Sequence, residues 1–281
     1  MKKFENIVIV TDLDGTFLDD NCKPVERNLR AIEYFKENGG YFTVATGRAT
    51  EHARGAMPDI DKLVNFPAVT CNGACLYDFA TAQTPFLSTV DYEDMLQLVS
   101  FIRERFPNSG IRASSPDYCF VCEQRDAENK YISEEIKKYP DNNLIAPVED
   151  WRGVTIIKVV LRIDAELLDV AMAELREKFD GKFEFTQSWS TIIDIQPRGI
   201  NKGSAIKRYT RTKLGKNAKI YACGDYFNDI EMLKEADVGV CPSNAQTRVK
   251  EVSDLCLCSN NEGLIADLVE YIEKQQKGEL L

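Results

Sequence analysis

The chain has 281 residues, of which 44% are hydrophobic and 28% are charged, the balance of a globular protein with one large or two modest domains. Its formal net charge of −10 argues against nucleic acid or an anionic membrane as the main partner. The apolar runs are far shorter than the roughly 20 residues that span a bilayer. Nine cysteines favour free thiols in a reducing compartment, so we expect a cytoplasmic protein.

The first third of the chain alternates strands and helices. Residues 6–11 form a short, β-branched, apolar run that is typical of a buried parallel strand. Glu26–Glu37 has the apolar spacing of a helix, and a glycine pair follows it. Residues 41–45 and 67–71 are predicted as two further strands. This βαβαβ order predicts a parallel sheet wrapped by helices.

The middle of the chain has a different pattern and is richer in proline. Strands and amphipathic helices are predicted there at 91–105, 155–163, 165–179, 182–185 and 191–195. We interpret this region as a second α+β domain that interrupts the first.

The last third returns to the alternating pattern. Helices are predicted at Lys202–Leu214, at 229–235 and from Gly263, with strands at Lys219–Cys223, 238–241 and Leu255–Leu257. The predicted fold class is therefore α/β, with a doubly wound, Rossmann-like core of parallel strands. We assign residues 1–80 and 191–281 to this core and residues 81–190 to the inserted domain.

Two carboxylates follow the first predicted strand. Asp12 and Asp14 are two residues apart, so in extended backbone their side chains point the same way. Ligands of open α/β sheets bind beyond the carboxyl ends of the strands, where this pair is expected. A simple Asp-Gly turn is the ordinary alternative, and an EF-hand loop is excluded because Phe17 stands where its glycine is required.

Four segments in order resemble the motifs of the haloacid dehalogenase-like superfamily. The segment from Asp12 to Thr16 is similar to its first motif, and Thr46-Gly47-Arg48 to its second. Lys202 resembles the third motif, and the segment from Gly224 to Asp229 the fourth. The pair Asn72-Gly73 and the inserted domain resemble the Cof-type branch, which has a large α/β cap that sets substrate specificity.

The resemblance implies a magnesium-dependent phosphatase that works through an aspartyl-phosphate. Asp12 would be the nucleophile, and Asp14 the general acid and then the base. Mg²⁺ would be bound by the carboxylates of Asp12 and Asp225 and by the backbone carbonyl of Asp14. Asp229 would support the metal through water or by orienting Lys202. Such sites work mainly by positioning and by compensating the charge of the transferred phosphoryl group.

Other matching residues would hold the substrate. The resemblance places phosphoryl oxygens near Thr46, Gly47, Lys202 and Asn228. Candidate contacts to the rest of the substrate are Arg48, Asn72 and Gly73, and in or near the inserted domain Tyr118, Arg125 and Trp189. The expected partner is a small phosphorylated metabolite, with sugar phosphates favoured.

Two other functions remain open. A phosphomutase similar to phosphomannomutase would need a second cationic pocket, and the sequence does not bring the arginines of the middle region to one place. A non-catalytic, phosphosugar-binding regulator is the third possibility, although intact Asp12, Asp14, Lys202 and Asp225 argue against it. The sequence has a single histidine, His52, which excludes a multi-histidine zinc site. His52 lies in a polar stretch and is expected to be structural or solvent-facing.

Overall fold

The computed structural model describes residues 2–279, which form three β-sheets and their helices. The strands are β1 Ile7–Thr11, β2 Tyr41–Val44, β3 Ala68–Thr70, β4 Cys75–Asp78, β5 Gln83–Leu87, β6 Gly110–Ser114, β7 Phe120–Cys122, β8 Asn143–Ile145, β9 Lys158–Arg162, β10 Phe183–Trp189, β11 Ile192–Pro197, β12 Lys219–Cys223, β13 Val238–Pro242 and β14 Leu255–Leu257. The α-helices are α1 Glu26–Glu37, α2 Thr50–Ala56, α3 Ile60–Leu63, α4 Tyr92–Arg105, α5 Gln124–Ala127, α6 Lys130–Lys138, α7 Ala165–Lys178, α8 Lys202–Leu214, α9 Ile230–Glu235, α10 Thr247–Lys250 and α11 Leu264–Lys277. No helix of this part of the chain has the length and apolar character needed to cross a membrane.

The core sheet has five parallel strands in the order β14-β13-β12-β1-β2. Every residue of β1 is buried, because both faces of the sheet are covered. Ile7 and Ile9 join one apolar cluster, whereas Val8 and Val10 join another on the opposite face. The predicted doubly wound α/β core is confirmed.

The second sheet has six strands in the order β10-β11-β9-β6-β7-β8, and its neighbours are antiparallel except for β7 and β8. Apolar residues of α4 and α7 pack on one face and form a separate core. The inserted region is therefore an α+β unit, as predicted. β11 is paired within this sheet, although the predicted second core segment begins at residue 191. The short turn after β10 returns the chain to the same sheet, so the strand pairing extends this unit to Pro197.

A small sheet of β3, β4 and β5 lies between these two units in the sequence. Residues 67–71 are predicted as a third parallel core strand, but β3 meets the core sheet only at one parallel bridge, between Ala45 and Val69. Its main partner is β4, in antiparallel pairing. The reason is the turn Cys71–Gly73, which is too short for the crossover that parallel neighbours require.

Candidate active site

Three strand ends bring polar residues to one edge of the core sheet. Asp12 follows β1, Thr46 comes two residues after β2, and Asp225 comes two residues after β12. The Asp12 N–H donates to the carbonyl of Cys223 at 2.9 Å, which fixes β1 and β12 side by side at this edge. The predicted residues therefore converge because parallel strands all end on the same side of a sheet.

Lys202 lies beneath this edge, between two carboxylates. It is the first residue of α8, is fully buried, and its Nζ lies 2.6 Å from Asp12 and 2.7 Å from Asp229. Burial opposes the charge of Lys202, but the two carboxylates outweigh burial and raise the pKa of its ammonium group. Gly203 makes this placement possible, since a Cβ there would lie 2.5 Å from the carbonyl oxygen of Glu231 in α9.

Asp229 holds the loop that carries Asp225. Its Oδ2 accepts hydrogen bonds from the backbone N–H groups of Asp225 at 3.0 Å and Tyr226 at 3.1 Å. Its Oδ1 accepts the hydrogen bond from Lys202. Both oxygens are therefore engaged, which suits the predicted supporting role better than direct binding of a metal.

The site also fits a divalent cation. Oxygen atoms of Asp12, Asp225 and Asp229 lie within 4.8 Å of one another. Because Asp229 is engaged elsewhere, Asp12 and Asp225 are the carboxylates that suit Mg²⁺, which prefers oxygen ligands. Burial raises the pKa of Asp225 to about 7, with the neighbouring Asp229 as the next cause. For Asp12, burial raises the pKa, Lys202 lowers it, and Asp229 and Asp225 raise it again, with a net upward shift. A cation would relieve this crowding of negative charge.

Close packing supports the same interpretation. A Cβ on Gly15, which has a φ of +80°, would lie 2.6 Å from Oδ2 of Asp225. The hydroxyl of Thr16 donates to the other oxygen of Asp225 at 2.5 Å. Glycine is thus required for Asp225 to approach the loop after β1, and the carboxylate is held in place there.

Asp14 is paired with Arg48 in this structure. Nε of Arg48 lies 2.8 Å from Oδ2 of Asp14, and its Nη2 lies 2.7 Å from Oδ1. The hydrogen bonds to Asp14 raise the pKa of Arg48 further. The backbone N–H of Arg48 also donates to the hydroxyl of Thr46 at 3.1 Å. Asp14 can therefore donate a proton only if Arg48 releases at least one of the two Asp14 carboxylate oxygens.

Asn72 and Gly73 are predicted as substrate contacts, but neither lines the cleft. A Cβ on Gly73 would lie 2.2 Å from the carbonyl oxygen of Asn201, so this glycine packs against the residue before Lys202. Asn72 is buried behind Gly47, accepts a hydrogen bond from Asn228 at 3.1 Å and donates one to Asp194 at 2.6 Å. Both residues support the site from behind.

Most of the other predicted residues face one cleft of about 390 Å³ between the core sheet and the second sheet. Its lining from the core unit includes Asp12, Asp14, Thr46, Gly47, Arg48, Asp225 and Asn228. Lys202 is buried below Asp12. The second unit lines the same cleft with Arg112, Glu135, Lys138, Tyr139, Lys158, Arg162, Trp189 and Asp194, among others. Trp189 alone of the three candidates from the inserted region reaches the cleft, where it stacks on Tyr226.

Lys158 is a site residue that no motif revealed. Its buried Nζ donates to the carbonyl of Gly47 at 2.7 Å and lies 2.9 Å from Asp194. It therefore ties the loop after β2 to the second sheet. Lys158 and Arg162 share one face of β9, but Val160 between them on that face is apolar, so the strand shows no period-two alternation that could have marked a polar face.

His52 is buried, not solvent-facing. Its ring stacks on Tyr139 at 4.2 Å between centroids and lies 5.3 Å from Phe120, so the inserted unit covers it. Burial lowers its pKa to about 3, helped by Arg112 and Arg48. The polar stretch around it left a solvent-facing position open, because the sequence does not show what packs on His52.

Comparison with known proteins agrees with this arrangement. Residues 9–269 match the family of haloacid dehalogenase-like hydrolases. A 5-amino-6-(5-phospho-D-ribitylamino)uracil phosphatase of Bacillus subtilis is 30% identical over 268 residues, which cover 94% of each chain. A pyridoxal phosphate phosphatase of Escherichia coli is 24% identical, over 93% of this chain and 97% of its own. A crystal structure from Streptococcus mutans superposes with a TM-score of 0.80 at 25% identity, over 94% and 97% of the two chains. The chain therefore belongs to the haloacid dehalogenase-like hydrolase family and is an enzyme.

Proposed function

We propose that the protein hydrolyses phosphate monoesters of small metabolites, sugar phosphates among them, with Mg²⁺ and through an aspartyl-phosphate on Asp12. The observation that carries the proposal is the position of Lys202, 2.6 Å from Asp12 and 2.7 Å from Asp229, at the edge that Asp225 and Thr46 also reach. The buried ammonium group of Lys202 therefore lies beside the carboxylate of Asp12, which lines the cleft. The named phosphatases among its relatives support the same chemistry.

The proposed reaction has two steps. An oxygen of the Asp12 carboxylate attacks phosphorus, the bond from phosphorus to the ester oxygen breaks, and Asp14 gives its proton to that oxygen. Water then attacks the phosphorus of the aspartyl-phosphate, Asp14 takes a proton from it, and inorganic phosphate leaves with Asp12 restored. Arg48 must release Asp14 before the first step, and the phosphoryl group is the natural anion to attract its guanidinium.

The remaining residues bind and orient. Lys202 donates towards the oxygens of Asp12 and of the phosphoryl group, while the Thr46 hydroxyl and Gly47 N–H complete the phosphoryl contacts. Asp12, Asp225 and the carbonyl of Asp14 would hold Mg²⁺, with Asp229 orienting the loop of Asp225. When bound, Mg²⁺ would supply the positive charge that offsets the charge of the transferred group. All nine cysteines are free thiols, which supports a cytoplasmic location.

Phosphate release from a panel of phosphate esters tests the proposal. We expect turnover with Mg²⁺, loss of turnover with EDTA, and at least a roughly 1,000-fold loss in Asp12→Asn, because an amide is a poor nucleophile. Asp169→Asn, on the exposed surface of α7, is the matched control. Unchanged activity of a folded Asp12→Asn protein would refute the nucleophile.

A phosphomutase is the second candidate, favoured by one observation. Arg112 and Arg162 line the same cleft as Asp12, which gives the second cationic region that intramolecular transfer needs. Assays that separate isomerised sugar phosphate from released phosphate distinguish the two reactions. Release of phosphate without isomerisation supports hydrolysis.

A further inference from the structure

The second sheet presents cations to the cleft from the middle of its strands. Arg112 in β6 pairs with Val160, and Arg162 in β9 pairs with Gly110, so both arginines lie on the same face as Lys158. The alternate residues Ile111, Ala113, Val159 and Leu161 belong to the apolar core on the other face. Two adjacent strands, β6 and β9, therefore contribute cations to the same face of the sheet.

The cations on this wall outnumber the carboxylates. Arg112, Lys138, Lys158 and Arg162 line the cleft with only Glu135 and Asp194 as acidic neighbours from the same unit, which leaves a net charge of +2. Lys158 and Asp194 pair with each other. Within residues 2–279, Lys138 makes no ion pair, and Arg112 and Arg162 share Glu135. Two guanidinium groups carry about ten N–H donors, whereas one carboxylate accepts about four hydrogen bonds.

The excess of arginine N–H donors matters because both arginines are largely buried. The side chains of Arg112 and Arg162 are only 12% and 13% exposed. Nε of Arg112 lies 2.7 Å from Glu135, but neither arginine Nε makes a well-oriented hydrogen bond to the part of the chain that the structure describes. Burial lowers the pKa of Arg162 to about 10, with Arg112 as the next cause. Buried cations with unused donors are costly unless an anion joins them.

We propose that Arg112 and Arg162 form a second anion site, so that the preferred substrate is a phosphate ester with a second anionic group, a carboxylate or a phosphate. The inference rests on the proposed function, since the ester phosphate would occupy the end of the cleft at Asp12. The arginine fork matches the two oxygens of either group. The cleft volume of about 390 Å³ is in the range of sites for whole metabolites.

Matched substrate pairs test the inference. Glycerol 3-phosphate against 3-phosphoglycerate tests a carboxylate, and fructose 6-phosphate against fructose 1,6-bisphosphate tests a second phosphate. We expect kcat/KM for Mg²⁺-dependent phosphate release to favour the doubly anionic member of at least one pair by about tenfold or more. Turnover without any preference would overturn the second site alone, whereas no turnover of any ester would remove the proposed function as well.

Variants then locate the effect. In Arg112→Gln and Arg162→Gln the preference within the better pair is expected to fall about 10- to 100-fold, mainly through KM, as for loss of a charge-assisted hydrogen bond. Glu135→Gln should strengthen the preference, because it removes the competing carboxylate, and misfolding cannot produce that increase. Arg105→Gln, which breaks an exposed pair with Glu174, is the control. An unchanged preference in both arginine variants would refute their role.

Discussion

The two walls of the cleft are built by different geometric rules. On the core wall, Asp12, Thr46 and Asp225 stand just beyond the carboxyl ends of parallel strands. On the other wall, Arg112 and Arg162 stand within antiparallel strands and face the cleft because side chains alternate. Strand ends concentrate a few residues at one point, whereas a sheet face spreads charge over a surface.

The walls also carry opposite charge. From the core unit, Asp12, Asp14 and Asp225 outweigh Arg48, a net charge of −2 against +2 on the second unit. The negative wall suits a divalent cation, and the positive wall suits an anion. A chain of net charge −10 can therefore bind an anionic substrate, because the local distribution of charge, not its sum, acts at short range.

The largest effect should come from the core wall. Lys202→Met is expected to lower kcat about 1,000-fold, since it removes the fixed cation beside Asp12. It should also lower the free energy of unfolding by about 3–5 kcal/mol, because Asp12 and Asp229 lose their buried partner. Urea unfolding and steady-state kinetics measure the two effects. Lys207→Met, in an exposed pair on the same helix, is the control, and a Lys202→Met enzyme of normal kcat would contradict the assignment.

The contact between the walls should have the next largest effect. Lys158→Met is expected to lower kcat/KM about 10- to 100-fold, because the carbonyl of Gly47 loses its hydrogen bond to the second sheet. A double-mutant cycle with Asp194→Asn should give a coupling energy of about 1–3 kcal/mol. The exposed pair of Lys182 and Asp94 should give less than about 1 kcal/mol. If the two cycles gave equal coupling energies, the buried pair of Lys158 and Asp194 would contribute no more than an exposed ion pair, which would contradict the prediction.

His52 gives a pH test of the same interface. Its folded-state pKa of about 3 lies below the ordinary value of 6.5, so below pH 6.5 protons bind the unfolded chain preferentially and stability falls. The wild type should lose about 2 kcal/mol more than His52→Gln between pH 7.5 and pH 5. Chemical unfolding at both pH values measures this difference. His52 is the only histidine, so matching pH profiles for the two proteins would show that the ring is not buried as described.

Arg48 should show the smallest effect. Its pair with Asp14 is partly exposed, so Arg48→Gln is expected to change the free energy of unfolding by less than about 1 kcal/mol. Loss of an anion contact should still lower kcat/KM about tenfold. Arg54→Gln, in the exposed pair with Asp61, is the control. Faster turnover in Arg48→Gln would instead show that the pair with Asp14 limits the wild type.

The difference between the walls also explains which residues the sequence could predict. Asp12, Asp14, Asp225 and Lys202 were predicted because four short motifs, each at a strand end or a helix start, resemble in their order those of a known family. Arg112 and Arg162 were visible only as members of a scattered set of arginines. Their convergence depends on the pairing of β6 with β9, which joins residues about fifty positions apart. Gly73 was predicted as a substrate contact, but it does not line the cleft and instead lets Asn201 approach, which the sequence does not show.

The sequence by itself determined the parallel core, the inserted α+β unit and the acidic edge, because strand periodicity and turn residues act over a few neighbouring positions. Only the tertiary structure decided what covers His52, which sheet holds β11 and which cations meet in the cleft. Those outcomes depend on how two separately packed units approach each other. Contacts between distant segments leave no local pattern in the chain.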